Sequence, residues 1–110
     1  MERNELYPVF LKLHNINVLI VGGGNVGLEK LSFMLKSSPN ANVEVVATKF
    51  IPELEALVEK HPTVKLTKAR FKKKMLKKRH MVIACTDDLK VNKRVYDLAR
   101  KRYLICNIAD

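Results

Sequence analysis

The sequence predicts an open, parallel α/β sheet of about five strands with helices on both faces, and three observations predict it. Apolar runs rich in β-branched residues alternate along the chain with stretches whose apolar residues recur at helical spacing. The runs "VLIV", "VEVVA", "MVIAC" and "YLICNI" are nearly continuous rather than alternating, as strands buried on both faces require. No internal repeat or low-complexity linker divides the chain. Its 110 residues, 47% of them hydrophobic, suffice for one domain with a core and are too few for two. A strand–helix alternation of this kind folds as a right-handed parallel sheet.

The elements follow in order. "LYPVFLKL" alternates too loosely to define and reads as an edge strand or an extended cover. A strand is expected over 16–21 and a helix over 25–37, where Gly27, Leu31, Met34 and Leu35 make a small, apolar face before "SSPN" ends it. A strand over 43–48 leads to a helix over 51–60, with Pro52 in its first turn and Glu53 and Glu55 at the positive end of its dipole. After a strand over 64–67 comes a short basic helix or turn over 71–79, then a strand over 80–85. The last helix, 88–102, buries Val91, Val95, Leu98 and Ala99, takes its cap from Asp87 or Asp88, and crowds Arg100, Lys101 and Arg102 at its negative end. A strand over 103–108 completes the order.

Composition narrows the function classes. No apolar stretch approaches a membrane span, and "MERNELYP" lacks the pattern of a signal peptide, so a cytoplasmic protein is expected. Cys85 and Cys106 sit in apolar runs without metal-ligand spacing and read as reduced core thiols; no metal site is expected. The net charge of +10 is local: residues 60–80 hold ten Lys or Arg and no acid, and the remainder carries eleven of each sign. A nucleic-acid protein would pair such a run with a recognition helix or stacking aromatics, and the run contains only Phe71. A solvated face and contact with an anionic small molecule remain the two leading readings, with nucleic acid behind them.

Chemistry concentrates in "NVLIVGGGNVGLEK". Gly22, Gly24 and Gly27 fit G-x-G-x-x-G at the first strand-to-helix junction. The first glycine permits a tight turn, the second lets the backbone approach a pyrophosphate, and the third lets the helix close on the strand. Free N–H groups at the helix start then face the bound anion. A Rossmann-like sheet holding a dinucleotide follows. The acidic residue usual at the end of the second strand is missing: that strand ends in "VVATK", and Glu44 falls at its beginning. Thr48 or backbone groups are left to hold the ribose, while Lys49 suits a 2′-phosphate, so the residues leave NAD and NADP both open.

Together "LYPVFLKLHNINVLIVGGGNVGLEK", "VVATKFIPEL", "VIACTDDLKVNKRV" and "ICNIAD" resemble the N-terminal domain of the siroheme synthase and precorrin-2 dehydrogenase family over nearly the whole chain. The resemblance implies an oxidoreductase that converts precorrin-2 to sirohydrochlorin with NAD, and in some members ferrous iron is then inserted. It also implies cofactor contacts at Gly22, Gly23, Gly24, Asn25, Val26 and Gly27, at Thr48 and Lys49 beside the adenosine, and at Thr86 and Asp87 in the loop "CTDD". Asp110 matches the family aspartate proposed to remove a proton. For Thr86 and Asp87 the alternative is helix capping; for Asp110 it is a frayed terminal residue. Dehydrogenation needs a base near the nicotinamide, which a suitably placed carboxylate supplies. The many carboxylates of precorrin-2 suggest that the basic segment attracts it, in which case neutralising Lys72, Lys73 and Lys74 raises KM.

The sequence departs from the family in places. Gly27 stands where alanine is frequent, Glu29 precedes Lys30 where arginine is commoner, and the basic run replaces a mixed or acidic segment. Family members continue into a dimerisation segment and a helical domain. Residues 1–110 are thus expected to be a single dinucleotide-binding domain, nearly inactive unaided and homodimeric at full length. Two other classes compete: a dinucleotide-sensing regulatory domain without redox turnover, and a basic anion or nucleic-acid module indifferent to mutation of Gly24.

Overall fold

The computed structural model describes residues 5–109. Residues 5–12 are exposed and carry no regular structure, and a 3-10 turn at Leu13–Asn15 leads into the sheet. The elements are β1 (Asn17–Val21), α1 (Asn25–Ser37), β2 (Asn42–Ala47), α2 (Pro52–Glu59), β3 (Val64–Lys68), a 3-10 turn at Lys73–Leu76, β4 (Met81–Ala84), α3 (Leu89–Lys101) and β5 (Ile105–Ile108). All five strands pair in parallel in the order β3-β2-β1-β4-β5. The chain steps outward from β1 to β3 and then crosses back to the other side of β1. Strand order therefore reverses between β1 and β4, where the carboxyl ends of an open sheet leave a crevice.

Successive strand residues point to opposite faces, so the core forms two layers. On one face Leu31 and Leu35 of α1 pack on Val18, Ile20, Val43, Val45 and Ile83, with Leu57 and Val58 of α2 beside them. On the other, Val95 and Ala99 of α3 and Leu76 of the second turn cover Leu19, Val21, Val82 and Ala84. Each fully buried Leu, Ile or Val contributes about 1.5–3 kcal/mol relative to exposure. Helices thus lie on both faces, and α1 has the bounds that its apolar spacing predicts.

The basic segment forms a turn, not a full helix. A longer helix would stack Lys73 on Lys77 and Lys74 on Lys78 and so crowd like charges, and one buried anchor, Leu76, fixes the crossover. Arg79 ties its far end to β2: the guanidinium donates to Glu44 Oε1, and Arg79 Nε donates to the carbonyl of Met75 at 3.0 Å. Thr67 Oγ1 donates to the other Glu44 oxygen. Burial pushes the Glu44 carboxyl upward, but these bonds and the nearby Arg79 and Lys65 charges outweigh it, and its pKa lies below the usual carboxylate range.

The start of β5 differs from expectation. Tyr103 N–H donates to Arg100 O at 3.1 Å and Leu104 N–H to Ala99 O at 3.0 Å, closing α3 with the paired bonds of a Schellman motif. Tyr103 adopts φ 58°, and it and Leu104 are used up in the cap, so pairing begins at Ile105. The cysteines are free; Cys85 is buried and Cys106 half-buried. Burial raises both thiols, Cys85 to about 11 despite a small opposing effect from Lys30.

Candidate functional site

The crevice is built around the glycine turn. Gly22 leaves β1 with φ 141°, in a region closed to most side chains, and its N–H donates to Val46 O at 2.9 Å. A Cβ there would lie 2.6 Å from the carbonyl oxygen of Cys85. At Gly23 it would overlap the carbonyl oxygen of Lys49, and at Gly27 that of Gly22, so these glycines let β2, β4 and α1 close around the turn. Gly24 is different: a Cβ on it would meet nothing within 4 Å. No protein neighbour requires its bare backbone, which instead borders open space.

Gly24 is also the N-cap of α1, with no side chain capping it and no acid in the first turn. The first N–H groups of a helix lack intrahelical partners and carry its positive end. Gly22, Gly23, Gly24, Asn25 and Val26 line one side of a crevice of about 1250 Å³. The remaining walls are the exit of β2 from Ala47 to Pro52, the exit of β3 from Ala69 to Phe71, the loop Cys85–Asp88, and Val91 and Arg94 of α3. The room left open at Gly24, the helix start beside it and the span of the crevice suit a dinucleotide with its pyrophosphate at the turn.

The structure thus brings Gly22, Gly23, Gly24, Asn25, Val26, Thr48, Lys49, Thr86 and Asp87 to one crevice, while Gly27 packs behind it against Gly22. Asp110 lies outside the described residues. Asp88 is the α3 cap, accepting from Lys90 N at 2.9 Å and Val91 N at 3.4 Å, which leaves Asp87 exposed on the crevice wall. Glu44 is held by Arg79 and Thr67 and is not among the lining residues.

Asn92 is a residue that sequence reasoning missed. It is 1% exposed, and its Oδ1 accepts from Thr86 N at 3.0 Å and from Thr86 Oγ1 at 2.6 Å, while its Nδ2 donates to Thr86 O at 3.0 Å. The loop after β4 is therefore fixed from below by one amide. The signal was available: Asn92 stands at i, i+3, i+7 spacing with Val95 and Ala99, a polar residue on a buried stripe. Arg70, Phe71 and Arg94 were also missed as crevice residues; Arg94 lies 6.0 Å from the centre of the Phe71 ring.

An open parallel sheet with a glycine turn at its switch point defines the class of Rossmann-like nucleotide-binding domains. Residues 9–110 match a family model described as "Putative NAD(P)-binding", and the chain belongs to that family. It is 36% identical over 104 residues to a siroheme synthase of Mannheimia succiniciproducens and 40% identical over 103 residues to that of Pseudoalteromonas translucida. Each alignment covers 94% of this chain and 21% of the relative, so the chain spans about a fifth of these siroheme synthases. Among solved structures, SirC, precorrin-2 dehydrogenase, superimposes with a TM-score of 0.80 at 25% identity, over 94% of this chain and 49% of that one. A nicotinamide dinucleotide is the cofactor class these matches support.

Proposed function

We propose that the chain is the dehydrogenase module of siroheme biosynthesis, in which precorrin-2 is oxidised to sirohydrochlorin with NAD as the hydride acceptor that the resemblance implies. The observation that carries the reading is the open space at Gly24 beside the uncapped start of α1, in a chain similar over 94% of its length to siroheme synthases and to a precorrin-2 dehydrogenase. Bound nicotinamide supplies a hydride acceptor; the protein's part is to hold and orient it. In this reading the amides of Gly22 to Val26 bind the pyrophosphate, and Gly27 keeps α1 close enough for them to converge. Thr48 and Lys49 border the adenosine, and Thr86 and Asp87, braced by Asn92, border the other half of the crevice.

The oxidation also releases a proton, whose removal we assign to Asp110, the residue that the resemblance matches to the family aspartate. The tetrapyrrole would face the nicotinamide from outside this crevice. We therefore expect the active unit to be a cytoplasmic homodimer of a longer protein, with residues 1–110 binding cofactor but turning over little alone. Among the described residues no helix is long and apolar enough to cross a membrane.

Calorimetric titration with dinucleotides, followed by absorbance assay of a longer version with precorrin-2, tests the reading. Reduction of the cofactor by precorrin-2, lost on Asp110→Asn, is expected. Dinucleotide binding without any turnover in the longer protein would favour the sensor class and overturn the dehydrogenase reading.

A further inference from the structure

The excess charge of the chain is gathered on one side of the sheet. Residues 70–79, which cross over that side, hold seven Lys or Arg and no acid, and residues 88–102, comprising α3 and its caps, hold six against two acids. On the opposite face α1 and α2 hold two Lys and four Glu. The two cationic stretches meet at the amino edge of the sheet. There Ile105 N–H donates to His80 O at 3.1 Å, His80 N–H to Asn17 O at 2.9 Å, and Asn17 Nδ2 to Lys78 O at 2.8 Å. These bonds set "KKRH", residues 77–80, against "RKRY", residues 100–103. The length of β1 or β4, roughly 15 Å, separates this edge from the cofactor crevice.

Lys77, Lys78, Arg100, Lys101 and Arg102 are all exposed, and among the described residues none of them forms an ion pair. The negative end of the α3 dipole accounts for the last three. It does not account for Lys77 and Lys78, which lie outside that helix and add like charge to it. The backbone here is strained as well: Lys78, at φ 60°, and Tyr103, at φ 58°, are the left-handed non-glycine residues among those described, and both fall in this cluster. Glycine would adopt that conformation freely, so each position keeps its side chain against a cost. Tyr103 directly follows Arg102 and is 95% exposed, which leaves nearly the whole ring open to solvent. The basic run by itself lacks such a ring, because Arg94 lies over Phe71; the fold supplies one from the end of α3.

We propose that this amino edge binds single-stranded nucleic acid, with the five cations on phosphates and one base stacked on Tyr103. A phosphodiester chain carries a charge at every nucleotide, and Lys and Arg answer it without reading sequence. An exposed aromatic ring among cations adds a platform that any base can use. An acidic protein segment would use the charges and leave the ring idle, and a bilayer surface calls for a broader apolar contact than one tyrosine. The site stands apart from the crevice, so strand and cofactor bind at the same time.

Fluorescence anisotropy of labelled oligothymidylate and oligouridylate, titrated with the protein over a range of salt, tests the assignment. A Kd of roughly 1–100 μM near physiological salt is expected, rising with salt at a log–log slope of about 3.5 for five phosphate contacts. Lys101→Ala combined with Arg102→Ala should lower that slope by about 1.4. Tyr103→Asn should weaken binding about tenfold at the same slope, asparagine being tolerant of the left-handed backbone. Lys36→Ala combined with Lys60→Ala removes the same charge from exposed positions on the α1 and α2 side and should change Kd less than about twofold. Saturating NAD should leave Kd unaltered, and circular dichroism melts check that each variant is folded. No binding at low salt, equal weakening by the two double variants, or full affinity in Tyr103→Asn overturns the proposal. So does competition by NAD, which would put the strand in the crevice. Tighter binding of labelled polyglutamate or of phosphatidylserine vesicles overturns it too, and identifies an acidic protein or a membrane as the partner instead.

Discussion

Replacing Gly24 with alanine separates the two reasons for which glycine occupies this turn. Its backbone, at φ −96° and ψ −157°, is extended and open to any residue, and the added methyl would meet no protein atom within 4 Å. Losing glycine at an N-cap costs up to about 1 kcal/mol, and reduced freedom of the unfolded chain returns about 0.4–1 kcal/mol. The fold should change by no more than about 0.5 kcal/mol, or about 3 °C in Tm. Binding is another matter. The methyl occupies the room where a phosphate oxygen must approach the amides, and losing one or two charge-assisted hydrogen bonds removes about 2–4 kcal/mol. At about 1.4 kcal/mol per decade, that raises Kd roughly 30- to 700-fold.

Gly22→Ala is the contrast, because it combines φ 141° with a Cβ lying 2.6 Å from Cys85 O. It should lose about 2–4 kcal/mol of stability whether or not ligand is present. Calorimetry with NAD and NADP, alongside melts without ligand, reads both variants. A Gly24→Ala protein that melts as the parent does and binds dinucleotide with unchanged affinity would refute the placement of the pyrophosphate.

Other outcomes follow from the surrounding structure. Asn92→Ala strips the partners from Thr86 N and O and should cost about 2–3 kcal/mol, lower Tm by roughly 10 °C, and speed amide exchange at Thr86; unchanged exchange would remove the bracing role. Glu44 has a folded pKa below its unfolded value, so its stabilisation is complete above the ordinary pKa of 4.5 and is lost as pH falls through the lower folded value. The parent should therefore lose Tm as pH falls below the ordinary value of 4.5 more steeply than Glu44→Gln, and parallel curves would contradict the pairing. Tyr103 is 95% exposed with φ 58°, so Tyr103→Gly should relieve strain and raise stability by about 0.5–1 kcal/mol, read from denaturant midpoints at constant m.

Most of the fold was legible because four of the five strands are nearly continuous apolar runs and each helix carries an apolar stripe. Periodicity fixed the bounds of α1, and the glycine spacing located the crevice that the structure places between β1 and β4. The residues that escaped did so for local reasons. Tyr103 is a β-former by type, yet the Schellman bonds hold it left-handed, an outcome decided by where α3 stops rather than by its own preference. Asn92 stands on the buried stripe of α3, but its partner is the backbone of a loop, which no periodicity encodes. Arg70 was absorbed into a charge run, and only its place on the crevice wall sets it apart from its neighbours.

The strand order has a consequence for the birth of the crevice. β1 reaches β2 across a single helix, whereas its other neighbour, β4, arrives only after β2, α2 and β3 have been laid down. Until β4 is in place the turn lacks its wall at Cys85, so a partly folded chain offers a nucleotide only an incomplete crevice. The coenzyme should accordingly act as a brake on unfolding rather than as a template: at saturation, stopped-flow chevrons would show a slower unfolding limb above an unaltered refolding limb.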